Sequence, residues 1–281
     1  MIPRPSVISW EEQQAPWQED WQIEHDLMTS RVLVEIYSHA LLSENLLFHG
    51  GTALGKLYFN PPHRFSVDLD FVQIEQGPIK ETIQYPLLHE VMDTLPLKLA
   101  KYGPSNIGYK YFFDFDVWDP SVENSRIKIE INTREHFTVK NPKSLEYTVN
   151  TEWFEAGSKI KTYNLEEMLA HKLVSLYDRK KGRDLFDLWY ASKNKNLNNK
   201  SILSCYRDYI EATREGGHIT RAQYEGNLSQ KLNDPSFTED VRPLLREGLE
   251  YNSKLAADKI HRDYLRFLSG DPYSGEDNFF N

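Results

Sequence analysis

The sequence contains a single cysteine, Cys205, among its 281 residues. One cysteine forms no internal disulfide and excludes a cysteine-based zinc site, and it fits a reducing cytoplasm. No apolar run approaches the ~20 residues that span a bilayer. The first 21 residues lack the apolar core of a secretory signal. We therefore expect a cytoplasmic protein with no membrane span and no secretory signal.

Positive charge is also scarce, since the formal net charge is −9. Proteins that coat nucleic acid nonspecifically are normally basic, because phosphate contacts dominate that binding. The acidic balance argues against a general nucleic-acid binder, while a local basic groove or a small substrate carried by metal ions stays open. The hydrophobic share of 40% and the charged share of 27% are ordinary for a soluble globular protein.

The chain has no internal repeat and no low-complexity segment, and its pattern changes near residue 160. Before that point helices and strands are mixed, and after it only helices are predicted. This order predicts an α+β domain over residues 1–160 and a helical domain over residues 161–281 that completes the active site. The predicted elements of the first domain are an irregular arm over 1–18, helices over 19–43, Thr52–Tyr58 and 79–102, and strands over Leu46–His49, Val67–Ile74, Tyr109–Trp118, Arg126–Asn132 and 145–153.

The second domain is predicted as a succession of helices that ends in a loose tail over residues 270–281. The helices are expected over Asn164–Arg179, Arg183–Lys193, Ile202–Thr213, Arg221–Leu232, Val241–Leu249 and Ser253–Leu268.

A glycine pair follows the first predicted strand. Gly50 and Gly51 allow a sharp turn and a close ligand approach, and Thr52 can cap the next helix. The free N–H groups at such a helix start suit a phosphate. A plain strand–turn–helix uses the same residues, so this motif alone leaves both interpretations open.

Two acidic residues share one face of the next strand. Asp68 and Asp70 alternate with apolar residues, which places their carboxylates about 7 Å apart. Magnesium would relieve their repulsion, because it binds carboxylates together with substrate phosphates. The alternative is a half-exposed strand that happens to carry two acids. Asp114 and Asp116 form a second pair of the same kind without a glycine loop, and we interpret it as the solvated face of a strand.

The strand Arg126–Asn132 alternates isoleucines with polar residues. If it neighbours the strand of Asp68 and Asp70, Glu130 supplies a third carboxylate, as two-metal phosphoryl transfer requires. The alternative is a salt-bridge ladder in which Lys128 and Glu130 pair with neighbouring strands.

A lysine interrupts the apolar stripe of the helix predicted over Asn164–Arg179. Lys172 either extends to the surface or points into a cleft as a charge for the triphosphate. The basic run Arg179–Arg183 follows. It could bind a nucleic-acid backbone, or it could be an ordinary helix C-terminus that complements the dipole, with Gly182 as the stop. Asp184 and Asp187 lie on one side of the next helix, and one of them can orient Lys172 or Arg183. The alternative is an ordinary pair of solvated acids.

Together these motifs resemble the AbiEii/AbiGii toxin family, which includes the MenT toxins and belongs to the DNA polymerase β-like nucleotidyltransferase superfamily. The resemblance rests on HGGTALGKLY…HRFSVDLDF, KIEIN and LEEMLAHKLVSLYDRKKGRDLFDLW, and it spans roughly residues 45–190. It implies an α+β nucleotidyltransferase fold with a mixed sheet and flanking helices, followed by a helical half.

The resemblance also implies roles for individual residues. The catalytic set would be Asp68, Asp70, Glu130, Lys172 and Asp187, and the first three would bind two Mg²⁺. Nucleotide binding would involve Gly51, Thr52, Arg64, Ser66 and Lys172. Thr52 stands where much of the superfamily has serine, and the gap from Thr52 to Asp68 is longer than in many superfamily members but typical of this family.

The expected activity is transfer of a nucleoside monophosphate from an NTP to an acceptor hydroxyl, with a tRNA 3′ end as the implied acceptor. The resemblance implies a cytoplasmic toxin of a type IV-like toxin–antitoxin or phage-defence pair, with an AbiEi-like winged-helix antitoxin as partner. A protein or small-molecule acceptor is an alternative that the acidic charge favours. An inactive nucleotide-binding interaction protein is another, and the complete acidic set argues against it.

Overall fold

The computed structural model describes residues 1–119, 122 and 125–280. The chain divides into two compact units. The first unit comprises Met1–Asn164 and Leu244–Glu247, and the second comprises Leu165–Pro243 and Gly248–Asn281.

The first unit is built on a seven-stranded mixed sheet with the strand order β3-β4-β5-β2-β1-β7-β6. Strand β2 runs antiparallel to β1 and parallel to β5, and β1 runs parallel to β7. This mixed sheet with helices around it confirms the predicted α+β class. The strands are β1 (Leu46–His49), β2 (Asp68–Gln73), β3 (Lys98–Pro104), β4 (Gly108–Phe115), β5 (Ser125–Asn132), β6 (Lys143–Asn150) and β7 (Glu155–Thr162).

Side-chain alternation along the central strands produces the core. Leu69 and Phe71 of β2 are fully buried, and so are the three isoleucines of β5. The polar residues of the same strands therefore lie together on the opposite face, since successive side chains of a strand point to opposite sides. Helix α2 (Asp20–Ser38) packs against β5, β6 and β7.

Three predictions for the first unit were wrong. The expected irregular arm contains α1 (Arg4–Gln13), which buries Val7 and Trp10. The long helix is interrupted at His39, whose extended backbone separates α2 from α3 (Ala40–Asn45). The helix predicted over 79–102 gives way to β3 after Pro96, and its earlier part consists of π-helical turns over Lys80–Gln84 and Pro86–Val91.

The sequence also gave no prediction for β7. Its composition is largely polar, so it lacks the apolar alternation that identified the other strands. Pairing with β6 along its whole length and with β1 through Phe48 and Thr162 stabilises it as a strand. The remaining helix of this unit, α4 (Gly50–Tyr58), connects β1 to the loop that precedes β2.

The second unit is helical, as its sequence predicts. The segment predicted as a helix over Val241–Leu249 forms only a short 3₁₀ turn at Arg242–Leu244, because Pro243 lacks an N–H donor and Gly248 adopts a φ of +74°. Among the described residues, no helix has the length and apolarity to cross a membrane. The helices are α5 (Leu165–Asp178), α6 (Gly182–Asn194), α7 (Asn199–Thr213), α8 (Arg221–Leu232), α9 (Pro235–Thr238) and α10 (Ser253–Asp263).

The predicted loose tail is instead held against the helices of the second unit, as far as Phe280. The backbone N–H of Tyr273 donates to Glu225 Oε2 at 2.8 Å. The ring of Phe280 stacks on His261 with centroids 4.5 Å apart. Residue 281 lies outside the described residues.

A buried ion pair fixes α4 in the first unit. Lys56 Nζ lies 2.6 Å from Asp26 Oδ1, with 3% and 5% of the two side chains exposed. The indole N–H groups of Trp10 and Trp17 also donate to the Asp26 carboxylate. Burial alone would lower the pKa of Lys56, but Asp26 and Tyr147 outweigh it and raise the pKa above its ordinary value. Lys56 therefore keeps its positive charge inside the protein.

We expect Lys56→Met to lower the free energy of unfolding by about 3–5 kcal/mol, because it leaves Asp26 buried without its counter-ion. Urea denaturation followed by circular dichroism would measure this. The matched control is Lys159→Met. The Lys159 side chain is 73% exposed and its ammonium pairs with Glu146 at 3.5 Å, so the substitution should cost less than about 1 kcal/mol. Equal losses in the two variants would contradict the importance of the buried pair.

Candidate active site

The glycine turn lies directly against the strand that carries Asp68 and Asp70. Antiparallel pairing of β1 with β2 places His49 opposite Asp70. Gly50 has a φ of +83°, and a Cβ at this position would lie 2.6 Å from Asp70 Oδ2. A Cβ at Gly51 would lie 2.2 Å from Arg64 Nη2. The position of Gly50 therefore favours glycine for its backbone conformation, and a side chain at either position would displace the Asp70 carboxylate or the Arg64 guanidinium.

Thr52 connects this turn to β2. Its hydroxyl donates to the backbone carbonyl of Asp68 at 2.5 Å and lies 2.8 Å from Ser66 Oγ. The expectation that Thr52 caps the helix is wrong, because α4 begins two residues earlier, at Gly50. Thr52 therefore lies in the first turn of the helix, where backbone N–H groups have no intrahelical acceptor.

Arg64 lies beneath the turn as a buried residue. Its guanidinium contacts the position of Gly51 and donates to the carbonyl oxygen of Phe65 at 3.1 Å. The loop before β2 is further held by the backbone of Leu244, whose carbonyl accepts from Phe65 N–H at 2.8 Å. Arg64 therefore supports the turn from within the protein, and the contact with nucleotide that the resemblance implies for it stays a prediction.

The structure places three predicted acids on two neighbouring strands. In the parallel pairing of β2 with β5, Asp68 lies opposite Lys128 and Asp70 lies opposite Glu130. All three acids are partly exposed, while Leu69 between the first two is fully buried. The condition set on Glu130, that its strand neighbours that of Asp68 and Asp70, is therefore met.

Lys128 lies among these carboxylates. Its Nζ is 2.9 Å from Asp68 Oδ2 and 3.3 Å from Glu130 Oε2. Lys110 of β4 approaches Glu130 Oε1 to 3.2 Å. Burial would lower the pKa of Lys128, but hydrogen bonding and charge from Asp68, with Asp70 and Glu130, outweigh it and raise the pKa. This arrangement is the salt-bridge ladder that the sequence left open as an alternative.

Carboxylate oxygens are the donors that Mg²⁺ prefers, so Asp68 and Asp70 fit such an ion chemically. Glu130 is held by two lysines, and one of them occupies the space between Glu130 and Asp68. Within the described residues, no three His, Cys, Asp or Glu side chains form a group that could hold a metal. The assignment of two ions to Asp68, Asp70 and Glu130 therefore stays a prediction.

The second acidic pair has a different environment. Asp114 accepts two hydrogen bonds from the Arg126 guanidinium, at 2.6 and 2.9 Å. Hydrogen bonding to Arg126 holds the pKa of Asp114 below its ordinary value. Asp116 lies just beyond the end of β4 and is exposed. Neither residue lies at a glycine turn, so the structure separates this pair from Asp68 and Asp70.

In the second unit, Lys172 is buried between two carboxylates. Its Nζ lies 3.0 Å from Asp184 Oδ1 and 2.8 Å from Asp187 Oδ2, and neither acid is exposed. Arg179 donates two further hydrogen bonds to Asp184. Burial alone would raise the pKa of Asp184, but Lys172 and Arg179 outweigh it and lower the pKa. Lys172 thus does not extend to the surface, and the two acids are not solvated.

The sequence identified Asp187 as the partner of Lys172 but did not include Asp184 among the site residues. The available signal was the three-residue spacing of the acids, which places both on the helix face that meets α5.

The adjacent basic run is largely paired within its own unit: Lys180 with Asp234, and Lys181 with Asp240 at 3.8 Å. Gly182 begins α6 and stops no helix, and a Cβ there would lie 1.9 Å from the Phe237 carbonyl oxygen.

Comparison with solved structures relates this fold to known proteins. The structure of MenT4, nucleotidyltransferase toxin Rv2826c from Mycobacterium tuberculosis H37Rv, matches with a TM-score of 0.65 and 15% sequence identity, covering 96% of this chain and 92% of that one. An antigenic nucleotidyltransferase-like protein from Paracoccidioides brasiliensis gives a TM-score of 0.38 at 16% identity, covering 66% and 88%, and we draw nothing from it. The first match establishes the fold predicted from the resemblance, at an identity too low to establish more.

No curated protein sequence matches the chain. The family described as "Nucleotidyl transferase AbiEii toxin, Type IV TA system" matches residues 31–277. This match includes the glycine turn, the acidic strands and the buried lysine, and it extends over most of the chain. The protein therefore belongs to the AbiEii family of nucleotidyltransferase toxins of type IV toxin–antitoxin systems.

Proposed function

We propose that the protein transfers a nucleoside monophosphate from an NTP to an acceptor hydroxyl. The acceptor oxygen bonds to the α-phosphorus, the bond from that phosphorus to the bridging oxygen breaks, and pyrophosphate leaves. The observation that carries this proposal is the glycine turn, whose Gly50 backbone lies against Asp70. It brings the start of α4, which suits a phosphate, next to a carboxylate pair.

Each residue near the turn has a role in this proposal. The N–H groups at Gly51 and Thr52 hold triphosphate oxygens, and Arg64 and Ser66 keep the turn in position. Asp68 and Asp70 hold magnesium, which supplies charge neutralisation at the reacting phosphate when it is bound. Glu130 helps to deprotonate the acceptor hydroxyl after its contacts with Lys110 and Lys128 are released.

In the helical half, residues 161–281, we propose that Lys172 neutralises the triphosphate and that Asp187 orients it. Two carboxylates hold the ammonium in one place, which supports a role that depends on position. In this proposal, the half over residues 1–160 supplies the glycine turn and the acidic strands for the same reaction.

Membership of the family makes the protein a nucleotidyltransferase toxin of a toxin–antitoxin system. We further propose that its acceptor is a tRNA 3′ end, that it acts in the cytoplasm, and that an AbiEi-like antitoxin or a phage-defence context controls it. The net charge of −9 favours a second candidate, transfer to a protein or small-molecule hydroxyl, since such acceptors need no extended phosphate contacts.

The first prediction from this proposal concerns the two acidic pairs. Asp68→Asn and Asp70→Asn should each reduce incorporation of labelled nucleotide by at least about a hundredfold, because each removes charge stabilisation at the reacting phosphate. Asp114→Asn is the matched control, since it alters an aspartate of the second acidic pair, on β4, away from the glycine turn. Its activity should stay within about threefold of that of the unaltered protein. Circular dichroism should show all three variants folded. Loss of activity in Asp114→Asn alone would contradict the assignment, because it would place the site at Asp114 and Asp116.

The second prediction concerns the acceptor. We expect label from α-³²P NTPs, incubated with the protein and a total cell extract, to enter material that ribonuclease degrades and protease leaves intact. Label that protease removes would support the protein acceptor, and label in neither fraction would direct attention to small molecules. The Asp68→Asn protein provides the background for each treatment.

The third prediction concerns Lys128. We expect Lys128→Met to bind Mn²⁺ about tenfold more tightly than the unaltered protein, since it removes a positive charge that competes for Asp68. Calorimetry in the absence of NTP would measure the affinity. Lys110→Met is the control, because Lys110 contacts Glu130 and not Asp68, and its effect should be smaller. Unchanged or weaker Mn²⁺ binding in Lys128→Met would show that the ammonium does not compete with the ion.

A further inference from the structure

The second unit contains a surface cavity that plays no part in the proposed chemistry. It has a volume of about 530 Å³ and lies between the beginning of α7 and the residues around the end of α10. Its lining residues are Asn199, Lys200, Leu203, Arg207, Arg262, Asp263, Arg266 and Phe267. Both walls belong to one compact unit.

The lining is strongly basic, although the protein as a whole is acidic. Four of the eight lining residues are cationic and only Asp263 is anionic. The carboxylate of Asp263 receives Lys259 Nζ at 2.9 Å, so its charge is already balanced. Arg262 pairs with Asp258 at 3.0 Å. The cavity is therefore a local positive region on a chain whose net charge is −9.

Three of these cations have no acidic partner in the described part of the chain. Lys200, Arg207 and Arg266 are all exposed, and none of them makes an ion pair there. A cluster of like charges disfavours itself, and among the described residues no carboxylate forms an ion pair with these three cations. Its cost is offset when an anionic ligand binds.

An aromatic ring lies beside the charges. The side chain of Phe267 is 52% exposed, and the Arg266 guanidinium lies 4.6 Å from its ring centroid. The neighbours Leu265 and Leu268 are buried and anchor the turn, so the ring is held outward. An exposed ring next to arginines offers a stacking surface for a nucleobase, because every base has a π-face.

We propose that this cavity binds a single-stranded segment of RNA. Lys200, Arg207 and Arg266 contact the phosphodiester backbone, and a base stacks on Phe267. An acidic protein surface would account for the cations but would leave the exposed ring without a role. Inorganic phosphate alone would need neither the ring nor a cavity of this size. Cations combined with an aromatic platform are the arrangement that single-stranded nucleic acids require.

The cavity would give an RNA acceptor of the proposed reaction a place to bind. The inference rests on the proposed function only in taking this RNA to be the substrate. Binding can be measured without NTP or magnesium. Failure of the transfer reaction and failure of the docking site are therefore distinguishable.

The test uses the full chain and a fluorescein-labelled single-stranded RNA of about 12 nucleotides, within the range that single-strand-binding folds cover. Fluorescence anisotropy gives the affinity at several salt concentrations. For single strands the slope of log K against log salt is about −0.7 per phosphate contacted. We expect Arg207→Ala/Arg266→Ala to make this slope shallower by about 1.4 and to weaken binding at least tenfold at low salt.

The matched control is Arg242→Ala/Lys254→Ala. It also removes two exposed positive charges from the second unit, at residues that do not line the cavity. Its salt slope and affinity should stay close to those of the unaltered protein. An equal effect of the two double variants would show that net charge alone drives binding, and the proposed site would be wrong.

Phe267 provides a second, charge-neutral test. We expect Phe267→Ala to weaken RNA binding about tenfold with an unchanged salt slope, because one stacking contact is lost. Phe267→Trp should retain binding. Unaltered binding by Phe267→Ala would overturn the stacking assignment. If an acidic peptide displaced the labelled RNA more strongly than unlabelled RNA does, the cavity would be a protein-binding surface and the proposal would be wrong. In the Asp68→Asn protein, RNA binding should persist although transfer is lost.

Discussion

The candidate site depends on the closeness of two backbone segments. Strand β1 pairs with β2 up to His49 and Asp70, and in the turn that follows a Cβ at Gly50 would overlap the Asp70 side chain and one at Gly51 would overlap the Arg64 side chain. Thr52 fastens the same turn to the Asp68 carbonyl. The start of α4 and the acidic strand therefore form one rigid part of the fold. The positions of the carboxylates relative to the glycine turn follow from this packing.

The sequence predicted those features that depend on local patterns. Alternation of isoleucines with polar residues located β5, and the same rule placed Asp68 and Asp70 on one face. It could not predict strand order or register, so it did not decide whether Glu130 would complete a metal site or join a salt-bridge ladder. The metal site and the salt-bridge ladder both place Glu130 beside β2. They differ in whether Lys128 and Lys110 point toward the carboxylates or away from them.

Other errors have a common physical cause, namely that tertiary contacts outweigh local preference. Strand β7 carries no apolar alternation and exists because β1 and β6 pair with it. Helix α1 was missed because its apolar residues are few, yet Val7 and Trp10 are buried. The helical stripe around Lys172 was predicted correctly. Lys172 pairs with two carboxylates, Asp184 and Asp187, because of how α5 and α6 pack, and residue spacing alone does not specify that packing.

The salt-bridge ladder of Asp68, Lys128 and Glu130 lies on two inner strands of the sheet and has a consequence for folding. Asp68 and Glu130 would repel each other across β2 and β5 if nothing positive lay between them, and Lys128 supplies that charge from within the chain. Folding of small metal-binding domains is often coupled to capture of the ion, because their ligands repel one another without it. In this protein the Lys128 ammonium, which is part of the chain, lies between these acids in the folded state. The two carboxylates are therefore balanced within the sheet by a side chain of the same chain, without an added ion.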